Sequence, residues 1–203
     1  MEIQFIGRLT KVNKHLLLIL LGFGSLMLEA KNAYEFTNHY QTLLNTGLSK
    51  SASRNEIKEA HDAFQSFFLN SLDKRRVCAS IMGKDIYTKS SKSERQGFLA
   101  SCSYVMSAAL TKISLTLRDF RIDDLKVTES NNLQTWEFKL KGQPREIPFR
   151  LKVRKNNSGE FKIINSVINN INLGLTYKNQ FEQLYKEHNG DYEIINAVFN
   201  KPY

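Results

Sequence analysis

The feature that most constrains this chain is a change of period. Up to Arg118, apolar residues recur at helical spacing; beyond it they alternate. In LQTWEFKLKG, Trp136, Phe138 and Leu140 alternate with Glu137, Lys139 and Lys141. In REIPFRLKVRK, Ile147, Phe149, Leu151 and Val153 point one way, while Arg150, Lys152 and Arg154 point the other. Successive side chains on a strand project to opposite faces. These runs therefore specify a sheet with one buried and one wetted face. FRIDDLKV and EFKIINSVI supply flanking strands, the latter with Phe161 and Ile163 on its apolar face. NNSG, Asn156 to Gly159, is a hairpin turn signal.

Helical patterns lie on both sides of the strands. Tyr34 to Leu48 places Phe36, Tyr40, Leu43 and Leu44 near one face. After the polar stretch SKSASRNE, Ser53 or Asn55 can cap a helix from about Glu56 to Met82, with a kink or break admitted between Asn70 and Lys74. Gly83 ends it. Gly83 to Ser93 reads as a turn, and Ser91 or Ser93 starts a third helix running to about Leu117. Two short helices close the chain, Leu173 to Lys186 and Asp191 to Phe199, with HNGD as the turn between them. No internal repeat or low-complexity tract interrupts this order. Three helices, four strands and two helices predict an α+β domain, with helices on one face of a curved antiparallel four-stranded sheet.

The first thirty residues read as a separate object. Arg8, Lys11, Lys14 and His15 precede LLLILLGFGSLML, an uncharged run from Leu16 to Leu28. A basic segment followed by a run of this length fits a secretory signal peptide, residues 1–30, with cleavage after Ala30 or Ala33. The run is shorter than the roughly 18 apolar residues of a membrane-spanning helix. An uncleaved anchor is the alternative; both place residues 34–203, a single domain, outside the cytoplasm.

Charge narrows the partners. The net charge is +9, and removing a leader with three Lys/Arg and two Asp/Glu leaves +8. Such an excess attracts acidic protein faces, nucleic acid or phospholipid headgroups. Lys139, Lys141, Arg150, Lys152, Arg154 and Lys162 share the polar parity of three strands: a solvated face, or a docking face for an acidic partner or anionic membrane. Binding of single-stranded nucleic acid would place aromatics among these charges to stack bases. Here Trp136, Phe138, Phe149 and Phe161 lie on the opposite parity, so nucleic acid is not an expected partner.

Catalytic motifs are sparse. His39, His61 and His188 lie in different segments and form no metal spacing such as HExxH. GxSxG, Walker and GxGxxG patterns do not occur. Asp123 and Asp124 adjoin near a strand start, where they would face opposite sides; solvated turn carboxylates are the ordinary reading of such a pair. No catalytic residue, metal or cofactor is expected. Cys78 and Cys102 flank the turn after Gly83. In an oxidising compartment they can form a disulfide or remain two buried, small apolar side chains.

The stretch INLGLTYKNQFEQLYKEHNGDYEIINAV resembles the C-terminal signature of the MlaC family, also described as toluene-tolerance auxiliary proteins. The family pattern runs Gly-Val-Ser/Asn-Leu, two residues, Thr-Tyr-Arg, one residue, Gln-Phe, then a Gly-containing turn. This chain has Asn170-Ile171-Asn172-Leu173, then Thr176-Tyr177-Lys178, Gln180-Phe181 and Asn189-Gly190. Ile81-Met82-Gly83, Tyr87 and SERQGF, Ser93 to Phe98, resemble a second family stretch. Asn170 replaces a glycine, and Asn is the next most tolerant residue for a left-handed backbone. Lys178 replaces arginine and loses its bidentate geometry. Cys102, Met106 and Leu110 stand in an expected aromatic series, and both cysteines are additional to the pattern.

The resemblance implies a cone like that of nuclear transport factors, enclosing an apolar pocket for phospholipid acyl chains. It implies a non-enzymatic periplasmic carrier, shuttling lipid between an inner-membrane ABC transporter complex and an outer-membrane lipoprotein complex and so maintaining outer-membrane lipid asymmetry. The lining expected is Val77, Ile81, Phe98, Val105, Trp136, Phe138, Phe149, Leu151, Phe161, Ile163, Leu173, Tyr177 and Phe181, with Leu175 sharing the roof. An exported enzyme of the same fold with a pocket carboxylate, and a basic interaction module, are the competing readings.

Overall fold

The computed structural model describes residues 32–45, 53–117 and 120–200. The segment expected to be a leader lies outside the described residues. Among the described residues five helices come first: α1 (Ala33–Asn45), α2 (Arg54–Ser71), α3 (Lys74–Met82), α4 (Lys84–Lys89) and α5 (Lys92–Thr116). Five strands follow: β1 (Arg121–Ser130), β2 (Leu133–Lys141), β3 (Glu146–Lys155), β4 (Phe161–Ile168) and β5 (Ile171–Asn172). Helices α6 (Leu173–Glu187) and α7 (Tyr192–Phe199) close the fold.

The caps explain the helix starts. Ser53 accepts from the Glu56 amide while Glu56 accepts from the Ser53 amide, a reciprocal box at the start of α2. Ser91 and Glu94 repeat it on α5. Asp191 accepts from the amides of Glu193 and Ile194 on α7.

The predicted helix from Glu56 to Met82 is two helices. Leu72 makes a parallel bridge to Ile163, and the Asp73 amide donates to the Ile163 carbonyl at 2.9 Å. The Asp73 side chain then caps α3 through the Arg76 amide. A backbone bond to the sheet and a new cap replace the helical bonds lost at the break. The turn expected from Gly83 to Ser93 contains α4, a short helix started by Gly83 at φ 75°.

The sheet is an antiparallel meander, β1-β2-β3-β4-β5, one short strand more than expected. Its inner face carries Trp136, Phe138, Leu140, Phe149, Leu151 and Val153, all buried. Two bulges alter the alternation. In β4 the register shifts so that Val153 faces Ile163 but Lys152 faces Asn165. The buried set therefore changes from Ile163 to Ser166 and Ile168. In β1 the register shifts between Asp123 and Lys126, with Asp124 at φ 60°. Asp123 and Asp124 consequently both face solvent rather than opposite sides. Asn-Asn pairs with positive φ make the turns at 131–132 and 169–170. Asn170 adopts a left-handed conformation, φ 64°.

Among the described residues, helices cover the inner face of the sheet. α1 packs along β1, while α2, α3 and α6 pack on β4. The longest helix, α5, lies against α2, α3 and α7. Cys78 on α3 and Cys102 on α5 are joined by a disulfide, with Cα atoms 5.9 Å apart.

Candidate functional site

The space between the sheet and the first two helices is an aromatic layer. From the helices come Phe36 and Tyr40 of α1 and Phe64, Phe67 and Phe68 of α2. Their FxxxY and FxxFF spacings set these rings on one face of each helix. From the sheet come Trp136, Phe138, Phe149 and Phe161. Phe36 meets Trp136 at a centroid distance of 5.5 Å, and Tyr40 meets Phe149 and Phe138 at 6.2 and 6.3 Å. Phe138 and Phe149, cross-strand partners, stack at 5.2 Å. Trp136 and Phe161 contact edge to face at 5.8 Å. These are the separations at which aromatic pairs attract beyond area burial.

The expected lining residues fall into groups. Trp136, Phe138, Phe149, Leu151 and Ile163 are buried on the inner sheet face, with Phe161 half-buried beside them. Phe98 and Phe181 are buried in a second cluster between α5, α6 and α7, where their rings lie 4.5 Å apart. Tyr177, half-buried, joins that cluster through Phe199. Val77 and Ile81 are buried on α3, which packs against both α5 and α6. Leu173 is buried at the start of α6, and Val105 is half-buried on α5. Leu175 does not share the roof. It is 53% exposed, because two residues beyond Leu173 the helix has turned to its outer side.

The rings of α1 and α2 were absent from the expected lining. Their apolar spacing was readable, but helical periodicity does not reveal which surface a face will meet. They fill the layer opposite the sheet, and in the structure the two sides are in contact.

Polar groups within the fold are few and mostly hydroxyls. Ser103, Ser107, Thr111 and Ser114 recur along one buried side of α5. Thr111 Oγ1 and, on the inner sheet face, Ser166 Oγ are buried without a hydrogen-bond partner. The Tyr40 hydroxyl meets Ser114 Oγ at 2.8 Å. Burial pushes the Tyr40 phenol well above its usual range; the bond to Ser114 pulls the other way by less. His39, against the Phe67 ring at 4.8 Å, is held below its ordinary value by burial.

Carboxylates sit elsewhere. Asp123 pairs with Lys141, and Asp124 with Lys126 and Lys139, all on the solvent side of the sheet. Lys141 lowers the Asp123 pKa through a hydrogen bond. A pocket carboxylate of the kind an enzyme of this fold would use is thus not supplied by this pair. Among the described residues, no group of three or more His, Cys, Asp or Glu could hold a metal. The basic stripe is largely neutralised: Arg150 pairs with Glu137, Lys139 and Lys141 also reach Glu146, and Lys162 reaches Glu160 and the Asn70 carbonyl.

The arrangement is one curved sheet, one covered face, and an interior of rings and hydroxyls. Comparison with solved structures finds a similar fold in a phospholipid-binding protein from Ralstonia solanacearum, solved in complex with a phospholipid. The TM-score is 0.59 at 13% identity, covering 82% of this chain and 93% of that one. At that identity the likeness establishes the fold. No curated protein matches the sequence. Residues 37–197, from α1 to α7, match the family described as MlaC protein. The match spans most of the sequence and both stretches that resemble the family pattern, so this chain belongs to the MlaC family.

Proposed function

We propose that this protein is a non-enzymatic periplasmic phospholipid carrier, holding acyl chains between the inner sheet face and the helices. It would receive or deliver lipid at an inner-membrane ABC transporter complex and an outer-membrane lipoprotein complex. The observation that carries this reading is the aromatic layer of Phe36, Tyr40, Trp136, Phe138 and Phe149, in a member of the MlaC family. The phospholipid bound to the Ralstonia protein of the same fold supports it.

The physical argument is one of exchange. A diacyl lipid presents about thirty methylenes, each costing about 0.8 kcal/mol in water. Rings now touching one another would part and touch acyl chains instead, so apolar contact is traded for apolar contact while the lipid leaves water. The unpartnered Thr111 and Ser166 hydroxyls are donors that an ester carbonyl could satisfy. The thirteen expected lining residues, with the added rings of α1 and α2, are the proposed contact set.

In the same reading, Met1 to Ala30 is a cleaved export signal, and residues 34–203 form one lipid-binding domain. Cleavage after Ala30 is favoured over Ala33. The Asn32 side chain accepts from the Glu35 amide at the start of α1, and Ala33 is buried; the later cut would remove both.

Native mass spectrometry of the purified exported protein, followed by lipid extraction, tests the proposal. A co-purifying phospholipid is expected, and Phe149→Glu, once circular dichroism shows it folded, should carry much less of it. A protein that purifies without lipid and takes none from vesicles would defeat the carrier reading.

A further inference from the structure

A cleft of about 300 Å³ opens on the outside of the helical layer, between α3, α4 and the start of α5. Its rim carries Arg75, Lys92 and Arg95, and no carboxylate lines it. These cations differ from Lys139, Lys141 and Arg150 of the outer sheet face, which are paired with acids. Among the described residues Arg75, Lys92 and Arg95 have no ion pair. Of the neighbouring acids, Asp73 pairs with Arg76 and Glu94 accepts from the Ser91 amide, while Asp85 in the first turn of α4 does not line the cleft.

The cleft is also held in shape. The Arg95 guanidinium lies over the Tyr87 ring, 4.9 Å from its centroid. That contact holds the guanidinium beside the ring at the cleft. The Cys78–Cys102 disulfide ties α3 to α5, so that Arg75, one turn before Cys78, is held across from Arg95. Two arginine forks and a lysine around one concavity suit a tetrahedral oxyanion, which accepts bidentate donation from each fork. The volume lies at the small end of ligand clefts, enough for a headgroup and too little for acyl chains.

We infer that this cleft binds a phosphate-ester anion, at a site separate from the aromatic interior. Two sources share that chemistry: the headgroup phosphate of an anionic bilayer lipid, and a soluble phosphate ester. The inference does not rest on lipid carriage, because the cleft lies outside the helical layer.

The test follows backbone amide shifts of the folded protein during titration with glycerol phosphate, and its co-sedimentation with phosphatidylcholine vesicles with and without phosphatidylglycerol. Either source requires saturable shifts around Tyr87, Arg95 and Gln96. A bilayer source also requires co-sedimentation that depends on phosphatidylglycerol; a soluble source requires none. Arg75→Gln with Arg95→Gln should weaken binding about tenfold or more, the scale of losing two charge-assisted contacts. Lys152→Gln with Arg154→Gln, on the outer sheet face, should change it less than about twofold, as expected for surface charges away from the site. Equal losses in both double variants would mean diffuse attraction and overturn the inference. So would the absence of saturable shifts at the cleft, and so would undiminished binding by the arginine variant. Phosphate binding that survives in a protein unable to carry lipid would sustain this inference while defeating the carrier proposal.

Discussion

Tyr40 on α1 and Ser114 on α5 share a buried hydrogen bond of 2.8 Å across 74 positions of the chain. Ser114 Oγ also donates to the Leu110 carbonyl at 2.8 Å, so its proton is committed and Tyr40 is the donor. The Tyr40 ring meanwhile lies against Phe64, Phe67, Phe68, Phe138 and Phe149. One side chain thus joins the first helix, the central helix and the sheet.

Tyr40→Phe keeps the ring and removes the hydroxyl. Ser114 remains bonded to its own helix, so a loss of about 1 kcal/mol is expected by urea denaturation. The pH dependence carries a second signature. The folded protein holds the Tyr40 proton more tightly than the unfolded chain does, so stability is full below the ordinary tyrosine value and falls as pH rises above about 10. Tyr192, also raised by burial, contributes in the same sense. Tyr40→Phe should therefore lose less stability than the parent between neutral pH and pH of about 11. An identical alkaline slope would mean that Tyr40 does not titrate in unfolding.

The Cys78–Cys102 disulfide closes a loop with a sequence separation of 24, and Cys102 is fully buried. Restricting an unfolded loop of this length stabilises a fold by roughly 3 kcal/mol. A Cys78→Ala, Cys102→Ala variant should melt lower by several degrees, measured by circular dichroism. Because the bond is buried, reductant should act slowly on the native protein and rapidly in denaturant. Rapid reduction under native conditions would show that α3 separates readily from α5.

Asn170 offers a test of backbone conformation alone. It sits at φ 64° in the turn from β4 to β5, with an exposed side chain. Asn170→Gly should be close to neutral in thermal melting. Asn170→Val should cost roughly 1–2 kcal/mol, since a β-branched residue resists the left-handed region. Equal melting of the two variants would mean that the turn has moved to another conformation.

These sites show what can be read from a sequence and what cannot. Trp136, Phe138, Phe149 and Leu151 were legible as one buried face because strand geometry converts alternation directly into sidedness. A left-handed Asn170 is legible only through the resemblance, since it stands where the family pattern has glycine and Asn is the next most tolerant residue for that region. The break at Leu72 and Asp73 is not fixed by local pattern, since it depends on a bridge to Ile163, far along the chain. The two bulges were hidden, because a register shift belongs to a pair of strands and not to one. Phe64, Phe67 and Phe68 were plainly apolar, yet their meeting with the sheet rings is a fact of tertiary packing. Arg75, Lys92 and Arg95 lie on different helices, and no local pattern announces that they share a rim.

The single tryptophan makes the proposed interior observable. Trp136 is 1% exposed, lies between Phe36 and Phe161, and donates its indole N–H to Gln134 Oε1 at 2.8 Å. Iodide in water cannot reach a ring so placed and should leave its emission nearly unchanged. A phospholipid with brominated acyl chains should quench it on uptake, because heavy-atom quenching requires near contact and the chains would occupy the layer that Trp136 helps to form. The same lipid should quench little in Phe149→Glu, where a carboxylate enters that layer and repels the chains. Loading demonstrated by mass spectrometry, without any change in Trp136 emission, would place the acyl chains elsewhere, and the cluster of Phe98, Phe181 and Phe199 would become the part of the fold to probe.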